Sequence, residues 1–271
     1  MSVKKINYSP GVKIKFFSTL FIIAGLSLIF LKDKPTLYII GDSTVRNGDG
    51  KGSNDQWGWG SFLADYFDAT KINVENDAIG GRSSRTFITE GRWDRILAKL
   101  KKGDFVVMQF GHNDGGPLDD TARARGSLRG IGEESKEIYN PIMKKQEVVY
   151  TYGWYMRKYV EDCRARGATA IVCSPIPHND WNNDKVKRWG EDSYAGWAKQ
   201  IAASEGAYFI DLNNKIADEY ELLGAKRVAS FFPADHTHTN KEGAILNAQV
   251  VVKEMKRLKG HPFKKYLVSS K

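Results

Sequence analysis

Four short stretches of this chain hold residues that could carry out acyl transfer. Gly41-Asp42-Ser43-Thr44 presents a hydroxyl directly after an apolar run, Leu37-Tyr38-Ile39-Ile40. A serine in that place becomes a nucleophile once a base takes its proton. Asp235-His236-Thr237-His238 offers the base. Asp235 and His238 are three residues apart, so at a helix start they share a side. The carboxylate can then hold one imidazole nitrogen while the other faces Ser43. Attack would leave negative charge on the acyl oxygen. Three donors are at hand for it: the Ser43 N–H, the Gly81 N–H in Gly80-Gly81-Arg82, and the Asn113 amide in Gly111-His112-Asn113-Asp114. Val45 excludes the Gly-x-Ser-x-Gly elbow. A metal reading stands beside the serine one, because Asp235, His236 and His238 are zinc-competent types. His112 and His178 are the other histidine candidates.

These residues need elements to position them. Short apolar runs at 37–40, 72–76, 104–110, 168–173 and 207–211 read as strands. Between them, helical periodicity is expected at 62–67, 91–100, 146–166, 191–204 and 213–223. Thr239-x-x-Glu242 fits a capping box opening a last helix with Ile245, Leu246, Val251, Val252, Met255 and Leu258 on its apolar face. Strands alternating with helices imply a parallel sheet with helices on both faces. Right-handed connections then bring every strand's C-terminal end to one edge, where Ser43, Gly81 and Asn113 would gather. Residues 115–144 read as a long irregular connection. It holds Arg123, Arg125 and Arg129, either as solvated charge or as planar forks for carboxylates.

The chain has 271 residues and a net charge of +9. Six of its 41 basic residues lie in the first 35, leaving 35 basic against 31 acidic beyond them. That balance gives no nucleic-acid footprint. Cys163 and Cys173 form no Cys-x-x-Cys pair and read as buried thiols. Lys4, Lys5, Lys13 and Lys15 precede an apolar stretch, Phe16–Leu31, as in a secretory signal. A 16-residue helix spans roughly 24 Å at ~1.5 Å per residue, short of a ~30 Å bilayer core. The first 31 residues are thus expected to be a signal peptide or an N-terminal membrane anchor. One catalytic domain is expected over 35–271, in an exported protein, periplasmic or extracellular.

Taken together and in order, Gly-Asp-Ser-Thr, Gly81-Arg-Ser, Gly-His-Asn-Asp and Asp-His-Thr-His resemble the four blocks of the SGNH (GDSL-type) hydrolases. Asn-Asp-Ala-x-x-Gly-Arg-Ser, Glu-Gly-Arg-Trp and Phe-Pro-x-Asp-His-Thr-His-Thr look more narrowly like the rhamnogalacturonan acetylesterases. The resemblance implies an α/β fold of three layers, α/β/α, flavodoxin-like, with a five-stranded parallel sheet. It implies Ser43 as nucleophile, His238 as base, Asp235 as its partner, and Ser43, Gly81 and Asn113 as the oxyanion hole. It implies no cofactor and no metal. The expected partner is an acetylated acidic polysaccharide, met by a monomer that touches membrane only through an uncleaved N-terminal segment. Arg82, Arg123, Arg125, Arg129, Asn179 and Trp181 are the candidate substrate contacts. Alternatives are an esterase for another acetylated glycan, such as xylan or peptidoglycan, and a carbohydrate-binding protein without catalysis.

Overall fold

The computed structural model describes residues 1–2 and 33–268. The signal-peptide or anchor reading of residues 1–31 rests on a stretch, Phe16–Leu31, that lies outside them. Lys34–Lys271 makes one compact unit. Its elements, in chain order, are β1 (Thr36–Gly41), β2 (Asn73–Asn76), α1 (Ser84–Thr89), α2 (Arg92–Lys99), β3 (Phe105–Gln109), β4 (Ser135–Asn140), β5 (Lys145–Tyr150), α3 (Tyr152–Ala165), β6 (Thr169–Cys173), β7 (Trp181–Asn182), β8 (Lys185–Val186), α4 (Tyr194–Ser204), β9 (Tyr208–Ile210), α5 (Leu212–Leu223), α6 (Ala225–Ala229) and α7 (Lys241–Met255).

The central sheet has five strands in the order β2-β1-β3-β6-β9, and every pair is parallel. Its inner strands are apolar on both faces because both are covered. Alternate residues of one strand serve opposite layers. Leu37, Ile39, Val107 and Ile171 join Ile216, Val251, Met255 and Phe263 on one face. Tyr38, Ile40, Val106, Met108 and Val172 join Phe87, Trp93, Tyr159 and Trp197 on the other. The chain leaves β1 for β2 on one side, then returns past β1 to β3 on the other. That reversal opens a crevice outside the carboxyl ends of β1 and β3, where open α/β sheets bind ligands.

Four local expectations are corrected. Residues 62–67 form short 3-10 turns, Trp59–Ser61 and Leu63–Tyr66, not a helix. The helix expected from 146 begins at Tyr152, where the Thr151 side chain accepts from the Trp154 N–H. Lys145–Tyr150 instead pairs antiparallel with Ser135–Asn140, a hairpin that takes the end of the supposed loop and the start of the supposed helix. The last helix is capped by Asn240, whose side chain accepts from the Gly243 N–H, not by Thr239. Cys163 and Cys173 are buried and free. No helix among the described residues is long and apolar enough to cross a membrane.

Candidate active site

Ser43 begins the turn after β1. The Asp42 carbonyl accepts from the Val45 and Arg46 N–H groups, and the Asp42 carboxylate accepts from the Thr44 N–H and hydroxyl. The turn is pressed onto its neighbour strand: a β-carbon on Gly41 would lie 2.6 Å from the Gln109 carbonyl oxygen. Gln109 ties the same turn from beneath, donating to Thr44 Oγ1 and accepting from Trp59 Nε1.

The hydroxyl meets its base across 195 residues of chain. Ser43 Oγ lies 2.8 Å from His238 Nε2. His238 Nδ1 lies 2.7 Å from Asp235 Oδ2. The other Asp235 oxygen accepts from the Thr237 and His238 N–H groups. Burial works to raise the Asp235 carboxyl, but the His238 ring and those two amides outweigh it and hold it below the usual carboxylate range. A carboxylate at Nδ1 fixes the tautomer that leaves Nε2 free to accept the Ser43 proton. The loop carrying both is pinned at three points: Trp57 N–H to the Thr239 carbonyl, Asn179 N–H to that of His236, and Asn240 N–H to that of Phe231.

The three groups expected to bind an oxyanion border one cleft. Gly81 follows β2 with φ +77°, a left-handed conformation that glycine adopts without strain. Asn113 follows β3, and its Nδ2 donates to the Arg82 carbonyl at 3.0 Å. The second hydrogen of that amide remains for the cleft. Among the described residues, the Ser43 and Gly81 N–H groups have no protein acceptor. Ser43, Gly81, Asn113, His112, His178 and His238 all border a cleft of about 820 Å³.

Sequence reasoning missed a buried ion pair beneath the nucleophile. His112 Nδ1 lies 3.0 Å from Asp42 Oδ2, and His112 Nε2 lies 3.1 Å from the Ile176 carbonyl. Both nitrogens face acceptors, so both carry hydrogen and the ring is an imidazolium. Burial acts to lower the His112 pKa, but Asp42 and the Ile176 carbonyl raise it above the ordinary histidine value. Burial likewise acts to raise Asp42, and His112 with Thr44 holds it low. His178 packs on both His112 and His236. Burial and those neighbours push it down to about 4, so it is neutral. Asp114 accepts from Ser84 and Ser127, and burial pushes it up to about 6.

The other candidate residues separate. Arg82, Arg123 and Arg125 border the cleft. Arg129 does not: its guanidinium lies 5.0 Å from the Trp197 ring and donates to the Asp192 carbonyl. Asn179 and Trp181 bond to one another away from the cleft lining. The tip of the β4–β5 hairpin, unforeseen, brings Ile142 and Met143 to the rim. The zinc arrangement is not assembled, since His238 has Asp235 on one nitrogen and Ser43 on the other. Among the described residues no group of three His, Cys, Asp or Glu side chains is gathered for a metal.

Residues 39–244 match the GDSL-like Lipase/Acylhydrolase family. The chain belongs to that family. As a GDSL-type acylhydrolase it is a hydrolase of ester bonds, and the serine–histidine–aspartate relay can do that chemistry. It is 34% identical over 232 residues to a rhamnogalacturonan acetylesterase of Emericella nidulans, covering 85% of this chain and 89% of that one. It is 33% identical over 228 residues to the probable rhamnogalacturonan acetylesterase YesY of Bacillus subtilis, covering 82% and 93%. Among solved structures, B. subtilis YxiM superposes with a TM-score of 0.66 at 28% identity, over 83% of this chain. This GDSL-type chain spans only 57% of YxiM. The acetylxylan esterase Axe2 of Geobacillus stearothermophilus shares the fold, with a TM-score of 0.54 at 18% identity over 82% of this chain and 94% of that one.

Proposed function

We propose that this protein is an exported carbohydrate O-acetylesterase, working as a monomer, that removes acetyl groups from rhamnogalacturonan. The observation that carries the chemistry is the relay from Ser43 Oγ to His238 Nε2 at 2.8 Å and from His238 Nδ1 to Asp235 at 2.7 Å. Relatives named for rhamnogalacturonan, matched over more than four-fifths of the chain, support the substrate. The basic, apolar N-terminal stretch supports export.

Ser43 Oγ attacks the acetyl carbonyl as its proton passes to His238 Nε2. The imidazolium so formed is stabilised by Asp235, which stays ionised. Negative charge grows on the acetyl oxygen against the Ser43 and Gly81 N–H groups and the Asn113 amide, donors fixed before the reaction begins. Collapse expels the sugar oxygen, which takes the proton from His238. Water, activated by the same imidazole, then releases acetate from Ser43.

Acetate release from acetylated rhamnogalacturonan, compared with acetylated xylan and peptidoglycan, is the test. The expected outcome is release from the pectic polymer, lost by about 10⁴-fold or more in Ser43→Ala. Release from xylan alone would move the substrate elsewhere. Undiminished activity in Ser43→Ala would remove the serine route.

A further inference from the structure

Among the described residues, exposed large apolar side chains gather on one element that the chemistry does not use. Tyr139 is 54% exposed, Ile142 48%, Val148 41% and Met143 39%, and all four belong to the β4–β5 hairpin. Single apolar residues scattered over a surface are ordinary, but a contiguous group marks a contact surface. The pairing register sorts the two faces of the hairpin. Ile138 and Val149 are buried and Glu147 is held by Arg85, so their face is turned to the body. Successive side chains of a strand point to opposite sides. Ser135, Glu137 and Tyr139 therefore stand outward, with their partners Tyr150, Val148 and Gln146. Tyr139 and Val148 are diagonal neighbours there, within the reach of an aromatic ring. Tyr150 carries the same face on to α3, where its ring stacks on that of Trp154 at 4.1 Å and 13°.

Three observations choose the occupant. The face is continuous with the cleft: Asn140, at the end of β4, accepts from the Ile142 and Met143 N–H groups to shape the tip, and all three residues line the cleft. A chain leaving the cleft over that tip comes onto Tyr139. The face is also small. Two six-residue strands cover roughly 20 Å by 10 Å, about 200 Å², against the ~800 Å² that each partner gives to a stable protein interface. Finally, its make-up is mixed, with rings and Val148 set beside Ser135, Glu137 and Gln146. A pyranose has the same make-up, a face of C–H groups edged by hydroxyls. Such a face stacks on an aromatic ring while its hydroxyls reach the amide and carboxylate. Glu137 repels a uronate from this surface, which leaves neutral sugars.

We propose that the outward face of the β4–β5 hairpin is a second glycan site, outside the catalytic cleft, where Tyr139, Val148 and the Tyr150–Trp154 stack hold neutral sugars of the polymer whose acetylated unit lies in the cleft. The site rests on the acetylesterase reading for its occupant and goes beyond it in place. Two measurements test it. In the first, kcat/KM of the full chain on acetylated rhamnogalacturonan is divided by kcat/KM on an aryl acetate, which ends within the cleft. Tyr139→Ala should lower this ratio about 3- to 10-fold, the worth of one aromatic contact, with the change falling in KM. Tyr139→Phe, which keeps the ring, should hold the ratio. Leu222→Ser, exposed on α5, should hold it too. In the second, full-length Ser43→Ala is run through gels containing deacetylated rhamnogalacturonan or a neutral linear galactan. Retardation is expected, and adding Tyr139→Ala should lessen it.

An unchanged ratio in Tyr139→Ala overturns the proposal, as does an equal fall in Tyr139→Phe or Leu222→Ser. So does a gel in which Ser43→Ala is not retarded, or is retarded equally with and without the Tyr139 ring. Dimer formation or lipid-vesicle binding that disappears in Tyr139→Ala would give the face to a second copy or a membrane, and overturns the proposal as well. No acetate release from rhamnogalacturonan, with retardation by galactan still dependent on Tyr139, would instead defeat the polymer assignment and leave the glycan site standing.

Discussion

Both ring nitrogens of His112 end on oxygens that can only accept, one of them the Asp42 carboxylate beside the nucleophile. The His112 side chain is 3% exposed and that of Asp42 is fully buried, so solvent screens the pair little. Removing one partner would strand the other charge. His112→Leu is expected to cost about 3–5 kcal/mol in urea unfolding near pH 6. Adding Asp42→Asn to it should return much of that, because no buried charge is then left over. The pH window follows from the directions. His112 is held above its unfolded value of about 6.5 and Asp42 below its value of about 3.9. Stability from the pair is complete between those two values. It fades as pH climbs through the raised His112 pKa, and again as pH falls through the lowered Asp42 pKa. Equal stability in His112→Leu would show the pair to be idle. From the sequence, Ser43, Asp235 and His238 stand out by residue type and spacing. The partnership of Asp42 with His112 does not, because 70 residues separate two side chains that only strand pairing brings together.

The β4–β5 hairpin shapes one rim of the cleft and carries a buried ion pair to α1. Glu147 takes both arms of Arg85, at 2.8 Å each, and also accepts from Asn140. Arg85 has no exposed side-chain surface and donates onward to the loop that carries Arg123 and Arg125. Arg85 therefore links hairpin, loop and α1. Glu147→Ala leaves a guanidinium buried without its counter-charge, at a cost of about 3–5 kcal/mol read by denaturant unfolding. An effect below about 1 kcal/mol, the size of an exposed pair, would contradict that coupling. This is also where sequence reasoning failed. Val149 fits a helix face as readily as a strand face, and nothing local to Lys145–Tyr150 announces a partner at Ser135–Asn140. The long strands were legible because Leu37–Ile40 and Val106–Met108 are apolar without interruption, as burial on both faces demands. The 3-10 turns at 59–66 imitated a helix because Phe62, Leu63 and Tyr66 share its spacing.

For the whole molecule, the order β2-β1-β3-β6-β9 places Ser43 on the strand flanked by those that deliver Gly81 and Asn113. The α7 cap loop then brings His238 over that edge from the far end of the chain. Parallel topology alone predicted the gathering of the first three. The approach of the fourth was expected from chemistry, and its 2.8 Å contact is a property of the fold. The candidate substrate contacts were only half legible. Arginines at 123, 125 and 129 look alike in sequence, and only the folded loop separates two that face the cleft from one that covers Trp197. The most direct test of the account is covalent labelling of the serine. A fluorophosphonate should modify one residue per chain, Ser43, with loss of all esterase activity, and His238→Ala should label far more slowly at neutral pH. Label on another residue, or full activity in the protein labelled at Ser43, would contradict it.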